Sequence, residues 1–239
     1  MRRPNPSEQR KIAACLGSLD ARLAAEDRKL AALARHKRGL LQQLFPREGQ
    51  TRPHLRFPEF RDAGEWRYEH LEELCEVLNN RRQPITSSDR QSGPFPYYGA
   101  SGIVDYVDGF IFDETLVLVG EDGAKWAAFE ETAFLAFGKY WVNNHAHVLK
   151  PYAVNMTFLV TYLFLLDLEG FVSGAAPPKL TLGNLRKIPI ALPPEAEEQT
   201  RIAACLSTLD ARLAAQARKI DALRTHKRGL MQQLFPALK

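Results

Sequence analysis

The apolar positions of residues 9–46 advance in steps of four and three. Ile12, Leu16, Leu19, Leu23, Leu30, Leu33, Leu40 and Leu44 make the series, and Glu26 and Lys37 fill its two gaps. The same series returns at an offset of 190 as Ile202, Leu206, Leu209, Leu213, Ile220, Leu223, Leu230 and Leu234, with Gln216 and Lys227 in the gaps. Between Gln9–Pro46 and Gln199–Pro236, 27 of 38 positions are identical. This is a heptad seam in which every other position is occupied mostly by good helix formers. Each copy is predicted to be one helix of roughly 50 Å at ~1.5 Å per residue. The helices should start near Ser7 and the Pro193-Pro194 pair and stop at Pro46 and Pro236. Solenoid units recur every 20–50 residues, so a repeat this widely spaced is a matched pair holding something different between its members. A narrow leucine stripe needs a partner stripe, and the nearest is the other copy. The two helices are therefore expected to form an antiparallel coiled coil whose polar seam residues fix the register. Gly39 and Gly229 recur at one point and suggest a close backbone approach. The alternative is two amphipathic helices lying on a globular core.

Between the copies the period changes. Residues 47–65 are rich in Pro, Gly and charge and read as a linker, and Trp66 opens a central domain. Glu69–Leu78, with Leu71, Leu74 and Leu78 on one side, reads as a short amphipathic helix, and Asn79–Pro84 as a turn. From Pro94 to Leu149, aromatic and β-branched residues broken by Gly and Asp predict strands and tight loops. Ile103–Phe112, Thr115–Val119 and Phe134–Val142 are the strand regions, and Tyr97–Ile103 and Asn143–His147 are loops. Asn155–Leu168 is helical, Gly170–Pro178 a loop, and Lys179–Pro194 an extended lead-in to the second helix. The expected organisation is a first helix at 1–46, a linker at 47–65, a mixed α/β domain at 66–194 and a second helix at 195–239. The fold class is α+β.

Charge qualifies this picture. The net charge of +4 is unevenly divided: residues 1–46 carry ten Lys/Arg against four Asp/Glu, residues 195–239 eight against five, and residues 47–194 fourteen against nineteen. Basic helices flank a slightly acidic domain, so bulk attraction would not hold that domain to a nucleic acid. The longest apolar run, Phe158–Leu166, is too short to cross a bilayer, and the N-terminus leads into a charged helix. Cys15, Cys75 and Cys205 form no CxxC pair and read as small buried thiols in a reducing cytoplasm.

Signatures of catalysis are missing: there is no GxxxxGKS/T loop, no GxGxxG after a strand, no GxSxG elbow and no Asn-Pro-Pro-Tyr string. His145 and His147 could start a metal site but have no Cys or carboxylate at ligand spacing. Asp113, Glu121 and Lys125 have the residue types of a metal-dependent nuclease at the wrong spacing. The loops do offer groups that read nucleic acid. Asn143 and Asn144 suit an adenine edge, while Ser101, His145 and His147 reach bases or phosphates. Tyr97 and Tyr98 can pack on sugars or bases, with Gly99 allowing close approach, and Arg81, Arg82, Lys125 and Lys179 can hold phosphates. For each the structural alternative stays open: turn geometry for the Asn pair, a satisfied hydrogen bond for either His, a core position for one Tyr.

Taken in order, the strings resemble the specificity subunits of type I DNA restriction–modification systems. They are Gln9–Phe45 and its repeat through Glu198–Phe235, Leu55-Arg-Phe-Pro-Glu-Phe60 with Trp66, Tyr97-Tyr-Gly-Ala-Ser-Gly102, Asn144-His-Ala-His147 and Pro178-Lys179-Leu180. The resemblance implies a non-catalytic subunit, needing no cofactor of its own. It would direct an adenine methyltransferase subunit, which uses S-adenosylmethionine, and a restriction subunit driven by ATP and Mg to a bipartite double-stranded DNA site. Residues 66–194 would be one target-recognition domain and the repeats the spacer helices and docking surface for the modification subunits. Members of that family carry two such domains, and one is present here. A naturally halved subunit that pairs as a homodimer, or a truncated product, would account for this. The competing expectation is a coiled-coil interaction or decoy module that occupies modification subunits without reading DNA.

Overall fold

The computed structural model describes residues 5–174 and 177–235. Pro236, the expected stop of the second helix, and Ala175 and Ala176 in the loop predicted at 170–178 lie outside them. The chain forms two compact units. One is Gln42–Ala204, and the other joins residues up to Leu41 with those from Cys205 onward.

The second of these is built from helices α1 (Pro6–Leu44) and α4 (Ala196–Leu234). In α1, residues 12, 16, 19, 23, 26, 30, 33 and 37 are half-buried while most of the residues between them are exposed, which is the predicted seam. Polar pairs set an antiparallel register: Lys37 pairs with Asp210 and Lys227 with Asp20. Each pair becomes the other under the 190-residue offset. At the centre Gln216 Nε2 donates to Glu26 Oε2 at 2.7 Å and to the Glu26 carbonyl at 3.1 Å. Glu26 and Gln216 are themselves equivalent positions, so a pseudo-two-fold axis passes between them. The hydrogen bond from Gln216, then that from Lys219, hold the Glu26 carboxyl below the ordinary carboxylate range.

Among the described residues, the larger unit carries three sheets. Strand β1 (Arg67–His70) pairs antiparallel with β10 (Pro189–Leu192), closing the domain on itself. A four-stranded antiparallel sheet runs β2 (Cys75–Val77), β9 (Ala146–Pro151), β6 (Leu116–Gly120), β7 (Ala133–Ala136). A second four-stranded sheet runs β4 (Gly102–Val107), β3 (Ser92–Gly99), β8 (Lys139–Val142), β5 (Phe112–Asp113), with β3 and β8 parallel. Leu78, Phe112, Leu116, Leu118, Tyr140, Val142 and Val148 form one core cluster. A second, aromatic cluster seats Phe45, whose ring lies 6.1 Å from Trp66, 5.2 Å from Phe158 and 5.5 Å from Tyr162. The last two belong to helix α2 (Met156–Leu165), capped by Asn155, whose side chain accepts from the Phe158 N–H.

Three local expectations are corrected. Glu69–Leu78 is not a helix: it is the end of β1, a single 3-10 turn at Leu71–Glu73 and β2. A three-four apolar spacing over ten residues fits a helix, but strand partners at residues 149–151 and 189–192 take up its backbone groups. Tyr97 and Tyr98 lie in β3 rather than in a loop, because the small residues after them mark only the turn. The extended lead-in contains a short helix α3 (Leu182–Arg186), started by the Thr181 side chain accepting from Asn184 N. The cysteines differ too, since Cys15 is exposed and only Cys75 is deeply buried, its thiol pushed up to about 12 by burial. Among the described residues no helix is long and apolar enough to cross a membrane.

Candidate nucleic-acid interface

Backbone pairing brings four loops, far apart in sequence, to one edge of the larger unit. Asn143 N donates to the Tyr98 carbonyl at 3.0 Å, Glu121 N to the His145 carbonyl at 2.8 Å, and Leu180 N to the Glu121 carbonyl at 2.8 Å. Ser173 and Lys179 exchange both backbone bonds. The turns at 99–101, 121–124 and 143–146, with Ser173 and Lys179, therefore share one rim. The packing beneath is tight: a Cβ on Gly120 would come within 2.7 Å of the Ala100 carbonyl oxygen, and one on Gly99 within 2.9 Å of Val104 Cγ1.

Of the twelve residues singled out in the sequence, the exposed ones on this rim are Ser101, Lys125, Asn144 and, in part, His145 and Lys179. Lys125 Nζ lies 3.6 Å from Glu130. His145 Nδ1 is 2.5 Å from Asp122 Oδ1, and Lys179 Nζ is 2.9 Å from Asp122 Oδ2. A carboxylate only accepts, so His145 donates from Nδ1. Burial alone would raise the Asp122 carboxyl, but the bonds from Lys179 and His145 outweigh it and hold it below the ordinary range. The same contact raises Lys179.

The remaining residues serve the frame. Tyr97 is 1 % exposed, its hydroxyl accepts from Ile85 N at 3.0 Å, and the Arg90 guanidinium stacks 4.6 Å from its ring. It is a core residue, not a ring offered to a base. Tyr98 is half-buried, edge-on to Tyr140 at 5.5 Å, and burial raises its phenol. His147 is wholly buried: Nε2 donates to the Leu180 carbonyl at 2.7 Å and Nδ1 accepts from Asn79 Nδ2 at 2.9 Å. Burial pushes its pKa down. Asn79 also accepts from Val148 N at 2.9 Å, which pins the start of β9. Arg82 braces the loops, donating to Glu121 at 2.7 Å and to the carbonyls of Ala146 at 2.9 Å and Asn144 at 3.2 Å. Arg81 lies 4.5 Å over Phe112 and pairs with Glu114 at 3.2 Å. Asn143 is buried and its Oδ1 accepts from His145 N at 2.8 Å, a turn role. Gly99 is buried at the same turn.

Sequence reasoning missed Asp122 and Asn79, and met Glu121 only as a nuclease residue type at the wrong spacing rather than as the partner of Arg82. Asp122-Gly123 was legible only as a turn, and nothing local marks its carboxylate as the meeting point of two loops.

Comparison with known proteins accords with this architecture. A Haemophilus influenzae protein described as a type I restriction enzyme specificity subunit is 40% identical over 152 residues, 63% of this chain and 39% of that protein. The Escherichia coli EcoprrI type I specificity subunit is 27% identical over 127 residues, 53% of this chain and 30% of that one. The chain thus spans well under half the length of these relatives. Among solved structures, a type I restriction-modification S subunit from M. genitalium matches 98% of the chain and 62% of its own at a TM-score of 0.70 and 17% identity. The HsdS subunit from Thermoanaerobacter tengcongensis matches at 0.54 and 22% identity, over 97% of this chain and 59% of its own. These two show a shared fold. The profile of the type I restriction modification DNA specificity domain covers residues 63–225, most of the chain, and the chain belongs to that family.

Proposed function

We propose that this chain is the non-catalytic reading subunit of a type I restriction–modification complex. Residues 66–194 read one half of a bipartite duplex site, and the chain directs an adenine methyltransferase subunit and a restriction subunit there. S-adenosylmethionine, ATP and Mg would then be held by those partners, in the cytoplasm.

The observation that carries the bipartite part is a burial contrast between equivalent positions of the repeat. In the larger unit Glu198 is 1 % exposed and pairs with Arg56 at 2.6 Å, and Gln199 accepts from Asn155 N at 2.9 Å. Ile202, Ala203, Leu44 and Phe45 are all buried there. Their counterparts at the opposite end of the helix pair are Glu8, Gln9, Ile12, Ala13, Leu234 and Phe235. Five of these are exposed, Ile12 is half-buried, and Phe235 reaches 56 %. The register set by Asp20 with Lys227 brings these ends together. That end repeats the chemistry that seats a recognition domain, which supports a second such domain there, from another chain. Both copies end in Gln-Gln-Leu-Phe, so one chain's Phe235 can take the place of another's Phe45. In such a homodimer both half-sites meet identical domains, and the target is an interrupted palindrome whose spacing the helices fix.

Co-expression with the neighbouring modification subunit and methylome sequencing tests this. Methylation at an interrupted palindrome is expected. An asymmetric bipartite motif would remove the homodimer, and no motif would remove the reading role. Asn144→Ala should lose the motif without unfolding the chain.

The slightly acidic segment 47–194 favours a second reading, a module that occupies modification subunits without reading DNA. Titrating the complex with specific and scrambled duplexes at several salt concentrations separates the two, because only a reader keeps a sequence-dependent difference as salt rises.

A further inference from the structure

The turns at 99–101, 121–124 and 143–145 line an open depression of about 420 Å³. Ser101 and His145 stand on its rim, and the buried Asp122 and Asn143 also line it. A carboxylate here is unexpected for a surface that meets a polyanion. Two features make it workable. Its charge is offset, since Lys179 and His145 each donate to one of its oxygens. Its position is fixed, because the backbone at Gly120 is packed against Ala100 with no room for a Cβ. Each carboxylate oxygen has a second lone pair, so one contact on each leaves acceptor capacity.

We propose that Asp122 is a specificity-determining residue that accepts a hydrogen bond from the 4-amino group of a cytosine in the major groove. This inference rests on the reading role proposed above. Among the four bases, cytosine presents a donor alone on its major-groove edge. Guanine and thymine present acceptors, which a carboxylate repels, and adenine sets an acceptor beside its donor. The paired guanine presents two acceptors, O6 and N7, a standard target for a lysine. An acceptor beside the Lys179 ammonium therefore matches a C·G pair across both bases. Ser101, on the same rim, can bond to either kind of edge.

The test uses the full chain in complex with its modification subunit. The native motif is defined by methylome, and binding is then measured on duplexes carrying each base in turn at every fixed position. One fixed cytosine should be preferred by about 5- to 150-fold in the native complex. Asp122→Asn should lose that preference in favour of adenine, to which an amide bonds through both its groups. If Asp122→Asn keeps the same cytosine and only weakens binding, Asp122 merely positions Lys179 and His145 and the inference falls. A probe that needs no variant guards against misfolding. Each cytosine of the motif is replaced by 2-pyrimidinone, which lacks the amino group, and bound by the native complex. Loss of affinity at one position is expected, and no loss at any position overturns the proposal. A native complex with no reproducible motif removes the reading role itself, and this inference with it.

Discussion

Truncating Phe45 and Phe235 to alanine, one at a time, applies the same chemical change to equivalent positions of the repeat. The structure predicts opposite consequences. Phe45 is 1 % exposed and touches Trp66, Phe158 and Tyr162, so Phe45→Ala removes a ring from an aromatic core and leaves a cavity. Such changes cost about 3–5 kcal/mol. For a chain of this size each kcal/mol moves the melting temperature by roughly 2–4 °C, so a drop of about 6–20 °C is expected. Phe235 is 56 % exposed, and Phe235→Ala should stay within about 0.5 kcal/mol, or under about 2 °C. Thermal melts followed by far-ultraviolet circular dichroism and by tryptophan fluorescence measure both, the second reporting on Trp66 together with Trp126 and Trp141. Equal shifts would refute the reasoning, since they would mean that Phe235 is buried as deeply as its twin. When a second recognition domain is docked, Phe235→Ala should become costly as well, appearing as weakened assembly rather than a lower melting point of the free chain.

Two further outcomes follow from buried charge. Arg56 holds Glu198 through two bonds of 2.6 and 2.7 Å in a pocket where neither side chain exceeds 8 % exposure. Glu198→Ala should therefore cost about 3–5 kcal/mol by stranding the arginine, while Glu8→Ala at the exposed equivalent position should cost under about 0.5 kcal/mol in a chemical denaturation series. Burial depresses the His147 pKa, so the unfolded chain takes up a proton on this residue at higher pH than the folded chain does. Its contribution is complete above the unfolded value of about 6.5 and is lost as pH falls below it, at up to about 1.4 kcal/mol per pH unit. His147→Gln should flatten stability below about pH 6.5, and an unchanged slope would show that another group governs that range.

How much of this was legible in the chain depends on the length scale of each signal. The helix pair was readable because eight apolar seam positions recur in one period and then do so again 190 residues later, so no single substitution obscures it. Even the register was implicit, since Glu26 and Gln216 are equivalent and an antiparallel pair must cross its own axis somewhere. The segment around Leu71, Leu74 and Leu78 offered only three apolar residues, and its conformation was decided by partners at Leu149–Pro151 and Pro189–Leu192. The loop residues failed for a related reason. His147, Arg82 and Tyr97 have the side chains of ligand-binding groups, but each is satisfied by a partner that sequence does not mark: the Leu180 carbonyl, Glu121 and the Ile85 N–H. Burial of a polar group depends on who arrives from elsewhere in the chain, which residue type and local spacing do not encode.

The charge balance of segment 47–194 counts against DNA reading only if its carboxylates face the duplex as free charges. Several do not. Glu121 neutralises Arg82 inside the loop frame, Glu114 takes both Arg81 and Lys150, Asp105 takes Arg90, and Asp122 is held by Lys179 and His145. These pairs spend cations as well as anions, and few basic groups on the rim are left to grip phosphates. Since each phosphate contact adds about 0.9 to the slope of log affinity against log salt, a reader built this way has a shallow slope and weak non-specific binding. Its grip must then come from whatever else holds the duplex, which on the proposed reading is a second domain and the modification subunits. On that reading, a recognition domain of this charge is poorly equipped to bind DNA alone, which is a physical reason why a second docking end on the helix pair would be needed.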